Sequence, residues 1–202
     1  MMEYTLNGKK ICFVCDERLQ QEADFFAEIL EQEDKNQGIF EDGKTICIGW
    51  SYYKVLQVEE KFHIQAVDLA GNPFQEVEED LSLSLEIFGA QLKIIKETGV
   101  TPDHVTFQDV ILIRKSAVHA SGIYLQRSEP VSEEDSGWYM GALEDAESND
   151  PEDYARIYTY QLLSICKQAL SVLSLPVGVI AVFQNGELVE IVDGDDKLLY
   201  QS

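Results

Sequence analysis

The feature that most restricts the fold is the grouping of strand-like runs. "KTICIGW", "YKVLQVEE" and "KFHIQAVDL" follow one another with no helical pattern between them, each rich in β-branched or aromatic residues. "KKICFVCD" ahead of them reads as a buried strand. Leu19, Ala23, Phe26, Ala27 and Leu30 then recur at the spacing of an amphipathic helix that Gly38 ends. After the turn "AGNPF", a second helix is predicted from Leu81, Leu85, Phe88, Leu92 and Ile95, with Asp80 as N-cap and Gly99 as stop.

Pro102 breaks the helical pattern, and a second series of strands begins with "QDVILIRKS" and "GIYLQRSEP". "ARIYTYQLLSICKQALSVLS" is apolar enough to include a buried helix, and "VGVIAVFQNGELVEIV" predicts a hairpin on Asn185-Gly186, whose tolerance of positive φ suits a type I′ turn. Strands thus fall in runs instead of alternating singly with helices. The expected class is α+β, with mostly antiparallel sheets and a few packed helices in two subdomains, 1–105 and 106–202.

Thirty-seven acidic against 15 basic residues give a net charge of -22. Such a chain repels nucleic acid and anionic membranes and favours basic partners. The acidity is no tail: residues 1–100 carry 20 acids and 9 bases, and the remainder 17 and 6. The beginning shows no apolar run behind a basic segment, and four scattered cysteines do not form a secretory disulfide framework, so a cytoplasmic location is expected.

Motifs that carry chemistry are weak. "CFVC" has redox or zinc-knuckle spacing, but it lies in a strand pattern and lacks two further ligands, which favours two structural cysteines. His63, His104 and His119 fall in unrelated segments. No dinucleotide, Walker or nucleophile-elbow signature occurs, and "DGDD" at 193–196 reads as a turn. The sequence therefore indicates no catalytic residue, no metal ligand set and no cofactor.

One stretch stands apart. "RSEPVSEEDSGWYMGALEDAESNDPED", residues 127–153, places ten carboxylates around a Gly-Trp pair with a single arginine. It reads either as a solvated loop with Trp138 turned into the core, or as an aromatic anchor ringed by one sign of charge that grips a basic protein. The residues expected to touch a partner are Glu133, Glu134, Asp135, Trp138, Glu144 and Asp145.

The segments "VILIRKSAV", "IYLQRSEP", "DSGWYMG", "NDPEDYARIYTYQLLSI" and "LSLPVG" resemble a bacterial domain family described as immunity protein thirty-three of polymorphic toxin systems. The resemblance covers about residues 110–185. Its signature comprises Glu129, Pro130, Asp135, Ser136, Gly137, Trp138, Gly141, Asn149, Asp150, Pro151, Pro176 and Gly178, with "DSGW" the most specific part. It implies a non-enzymatic antitoxin that binds and neutralises a toxin, and the acidity of the chain favours a toxin with a basic surface. Two other classes stay open on the residues alone: a carboxylate-dependent enzyme, with or without a divalent ion, and a regulator or scaffold that recognises through its first half.

Overall fold

The computed structural model describes residues 1–145, 148 and 150–202. They form two compact units, Met1–Gly89 and Ala90–Ser202, and the division falls inside the second helix.

In the first unit β1 (Met2–Leu6) and β2 (Lys9–Phe13) form a hairpin on Asn7-Gly8, whose φ values of 50° and 79° are those of a type I′ turn. Helix α1 (Gln20–Gln37) follows, then β3 (Thr45–Ile48), β4 (Ser51–Val58), β5 (Lys61–Val67), β6 (Val77–Glu78) and α2 (Ser82–Thr98). The sheet order is β1-β2-β5-β4-β3 with β6 also on β5, antiparallel except for β2 against β5. Helix α1 buries Ala23, Phe26, Ala27 and Leu30, as the spacing predicts. Phe26 meets Phe13 edge-on at 5.6 Å and Tyr53 at 4.7 Å, so the helix stripe and the inner strand residues share one core.

Caps follow the chemistry expected of them. Gly38 closes α1 at φ 62°, its N–H donating to Asp34 O, and Gly99 closes α2 at φ 68° on Ile95 O. Asp80 Oδ1 accepts from Ser82 N at 2.9 Å just ahead of α2. Leu81, Leu85 and Phe88 are buried, but Leu92 is 36% exposed. The buried side of the later turns carries Gln91, which donates to Leu170 O at 2.9 Å, and Ile94.

The second unit holds β7 (Val110–Arg114), β8 (Gly122–Arg127), β9 (Asp135–Ala142), β10 (Tyr154–Tyr158), the single turn α3 (Leu162–Ile165), β11 (Ile180–Gln184), β12 (Glu187–Val192) and β13 (Leu198–Gln201). They build one seven-stranded sheet, β10-β7-β9-β8-β11-β12-β13, antiparallel except for β7 against β9. The hairpin β11–β12 turns on Asn185-Gly186 as predicted, at φ 51° and 82°. The inner face carries Ile111, Ile113, Ile123, Leu125, Trp138, Met140, Ala181, Phe183 and Ile191, all buried, and the segment 162–175 supplies further buried Leu162, Leu170, Val172, Leu173 and Leu175. The fold is α+β. "YARIY" differs from the helical expectation: its period-two alternation pairs with β7 as the edge strand β10, and only short helical turns follow it.

One polar group in the first core has a testable signature. Asp34 sits in the last turn of α1, where the helix dipole disfavours a carboxylate. Burial also opposes its ionised form, but Lys9 Nζ at 2.8 Å, Asn7 Nδ2 at 3.1 Å and Phe40 N at 3.4 Å donate to it and hold the carboxyl below its ordinary range. A lowered folded pKa gives stability that is present above about pH 4 and is lost as pH falls through the folded value. Urea unfolding should therefore show Asp34→Asn destabilised by about 1–3 kcal/mol at neutral pH. The gap to the unsubstituted chain should narrow in acid, and a gap constant with pH would show the charge on Asp34 to be irrelevant.

Candidate functional site

The "DSGW" segment opens β9, and its side chains build the strand's entry. Asp135 Oδ2 accepts from Val131 N at 2.9 Å and Oδ1 from Gly137 N at 3.0 Å, closing the loop ahead of the strand. Ser136 Oγ donates to Val110 O at 2.8 Å and accepts from Trp138 N at 3.2 Å. Gly137 sits at φ 73°, where a Cβ would collide with Ser128 O, so only glycine fits. Trp138 is 1% exposed and donates its indole N–H to Leu173 O at 3.1 Å. It lies in the core, and the surface-anchor role expected of it is not available to a side chain in that position.

Arg127 holds this arrangement together. It is 3% exposed, donates from Nε to Ser136 O at 3.2 Å and from Nη1 to Leu175 O, and pairs through Nη2 with Asp103 at 3.1 Å. Its guanidinium lies 5.8 Å from the Trp138 ring centre. Burial pushes its pKa down, opposed by Asp103, Asp109 and Glu129. Gly178, at φ 93°, donates to the Arg127 carbonyl, and the Arg127 N–H returns to Val179 O. Asp150 caps the turn at Pro151 by accepting from Glu152 N at 2.9 Å. Asn149 lies outside the described residues. The placed parts of the signature thus include several that specify the scaffold.

The described acids that flank β9 do not form one patch. Glu133 and Glu134 are exposed just before β9, and Glu144 is exposed just after it. Ten residues of extended chain separate Glu134 from Glu144, roughly 30 Å. Asp135 is half-buried and engaged in its loop. Asp145 is half-buried, pairs with Arg114 Nε at 3.1 Å and accepts from Ser116 Oγ.

What lies between the two acidic ends is the outer face of the sheet. Register places Arg156, Leu112, Tyr139, Gln126, Ile180, Val192 and Leu198 in one row across all seven strands. Beside it run Gly141, Tyr124, Val182, Glu190 and Gln201, with Tyr154 and Arg114 opposite one another on the two strands at the edge. Leu112 and Leu198 are 40% and 49% exposed. Glu190 is the single carboxylate in these rows, in a chain with 37 acids.

At the β10 side the face hollows into an open cleft of about 440 Å³ lined by Arg114, Tyr124, Tyr139, Leu143, Asp145 and Tyr154, among others. Tyr124 and Tyr139 meet at 5.8 Å and Tyr139 and Tyr154 at 6.3 Å. The Arg114 guanidinium is 6.0 Å from the Tyr154 ring, and Tyr154 OH donates to Ser148 O at 2.7 Å. Burial and the neighbouring Tyr124 push the Tyr139 phenol up to about 12, so it is a neutral donor at physiological pH. Gly141 leaves room for the Tyr124 ring, whose atoms would be 2.7–2.9 Å from a Cβ there. None of the three tyrosines is singled out by the sequence, although period-two reading of "DSGWYMGA" puts Tyr139 opposite in facing to Trp138.

Elsewhere the chemistry is plain. Cys12 and Cys15 are buried free thiols whose pKa values burial raises, the reverse of an activated pair. Asp193 accepts from the N–H groups of Asp195 and Lys197, making "DGDD" a turn. Among the described residues no three His, Cys, Asp or Glu side chains converge as a metal site, and no helix is long and apolar enough to cross a membrane.

The model of the Imm33-like domain family matches residues 90–193, beginning where the second compact unit begins. No curated protein matches the chain, and neither does any solved structure.

The two positive-φ glycines at 137 and 99 give separable predictions. Gly137→Ala should cost at least about 2 kcal/mol more than Gly99→Ala, which shares a positive φ but has open space around it. Thermal unfolding would show this as a melting point several degrees lower for the first variant. Equal losses would mean that the close approach to Ser128 is relaxed at no cost.

Proposed function

Since the chain belongs to the Imm33-like domain family, we propose that it is a cytoplasmic immunity protein that neutralises a bacterial toxin by covering part of its surface, acting by contact and not by making or breaking bonds. The observation that carries this reading is the outer face of the seven-stranded sheet. A solvated sheet face ordinarily alternates polar residues outward. Here tyrosine, leucine, isoleucine, valine and arginine occupy most of it. Its tyrosines and arginines are the residues in which interface centres are enriched, and lysine and glutamate, depleted at such centres, are nearly missing from these rows.

The partner is a toxin with a basic surface. Residues 90–202 hold 18 acids and 8 bases, and residues 1–89 hold 19 and 7, so the field of the whole chain draws in cations. Within the second unit Glu133 and Glu134 at one end of β9 and Glu144 at the other form the exposed rim that steers a basic partner onto the face. Asp145 and Asp135 contribute charge while holding Arg114 and the entry loop. A rim of this kind changes how fast partners meet more than how slowly they part.

Stopped-flow association with a toxin domain, sought among the genes neighbouring this one, tests the reading. The triple variant Glu133→Lys, Glu134→Lys, Glu144→Lys should associate about tenfold more slowly at low salt and dissociate at nearly the native rate, with the difference shrinking at high salt. A toxin that remains active in excess of this protein, with no complex formed, would remove the proposal.

A further inference from the structure

The aromatic cleft of the second unit is more selective than a general docking face, and its role rests on the contact function proposed for that face. Three phenol rings line it, and the face of a phenol ring attracts a cation. One guanidinium is already seated there: Arg114 lies against Tyr154 at 6.0 Å while bound to Asp145 at 3.1 Å. That pair is neutral as a unit and does not repel a second cation strongly. A carboxylate offers about four acceptor positions, so Asp145, engaged at Oδ2 by Arg114 and by the Ser116 hydroxyl, has acceptor capacity beyond those two contacts. Glu144 stands exposed two residues beyond the end of β9, and Asp153 binds the Ser148 hydroxyl. Lys115 is turned to the Glu152 carbonyl. The cleft is roomy enough at about 440 Å³ for one long side chain.

We propose that this cleft receives a single arginine side chain from the basic surface of the toxin, its guanidinium stacked among Tyr124, Tyr139 and Tyr154 and hydrogen-bonded to Asp145. Arginine fits better than lysine because a planar guanidinium stacks on a ring and still points donors at a carboxylate, whereas an ammonium is compact and strongly hydrated. Gly141 is part of the device, since a Cβ there would drive the Tyr124 ring from its place. The tyrosines are ring walls here and transfer no proton.

The test uses the full chain and N-acetyl-arginine amide as probe, followed by amide chemical shifts. Saturable shifts should centre on Tyr124, Tyr139, Gly141 and Tyr154, with N-acetyl-lysine amide binding several-fold more weakly. Tyr139→Ala should weaken the probe about tenfold while Tyr139→Phe, which keeps the ring, binds as the native chain does. Equal binding of the two probes, shifts scattered over the acidic surface, or loss of binding in Tyr139→Phe would each overturn the cleft as an arginine receptor. Toxin binding separates the cleft from the immunity reading: toxin bound equally well by the native chain and by Tyr139→Ala, with no probe binding, overturns the cleft alone. A probe that saturates the cleft in a chain that binds no toxin overturns the immunity reading and with it the toxin as source of the arginine.

Discussion

The second unit is organised around one buried cation. Arg127 is enclosed at the end of β8, and a guanidinium in that position must find acceptors on every side, because an unpaired charge out of water is strongly destabilising. It finds them in three separate stretches of chain: the Ser136 carbonyl at the entry of β9, the Leu175 carbonyl in the helical-turn segment, and Asp103 ahead of β7. These stretches are distant in sequence, so satisfying one residue fixes three connections at once. The Trp138 indole, packed beside the guanidinium and bonded to Leu173, fills the space this makes. Asp135, Ser136 and Gly137 then deliver β9 into that position.

A strand fixed so firmly on one side has its other side fixed too. With Trp138 and Met140 inward, Tyr139 and Gly141 must face outward, and register places Tyr124 over Gly141 and Leu112 beside Tyr139. The face so presented is aromatic and aliphatic at its middle, with exposed Glu133 and Glu134 at one end of β9 and Glu144 at the other. The residues that fasten β9 to the core are therefore not the ones that form its outer face. The motif most specific to the sequence lies mainly beneath the surface that a partner would meet.

This division explains which parts of the molecule are legible in the chain itself. Helix α1, the caps at Gly38 and Gly99, and the Asn185-Gly186 hairpin rest on local periodicity and turn chemistry, which sequence displays directly. The first hairpin carries the same Asn-Gly signal at residues 7 and 8, but "MEYTL" is short and is overshadowed by the stronger "KKICFVCD". Strand β10 is hidden because "YARIY" runs straight into helical turns, and Leu92 keeps the helical period yet emerges at the surface as Gln91 and Ile94 take the buried side. The cleft is illegible for a deeper reason: Tyr124, Tyr139 and Tyr154 sit on three strands, and only the order β10-β7-β9-β8 brings them together. The charge cluster misleads in the opposite way, since residues close in sequence are spread apart by an eight-residue strand between them.

The claim on which everything else depends is that Arg127 and Trp138 lock β9 into the core and so hold the outer face as a rigid platform. Native-state hydrogen exchange of the Trp138 indole N–H measures this directly. Exchange only through global unfolding, with the same free energy as the most protected amides of β8 and β11, is the result expected. Exchange through a local opening several kcal/mol below the global value would show β9 to be loosely held and would contradict the account.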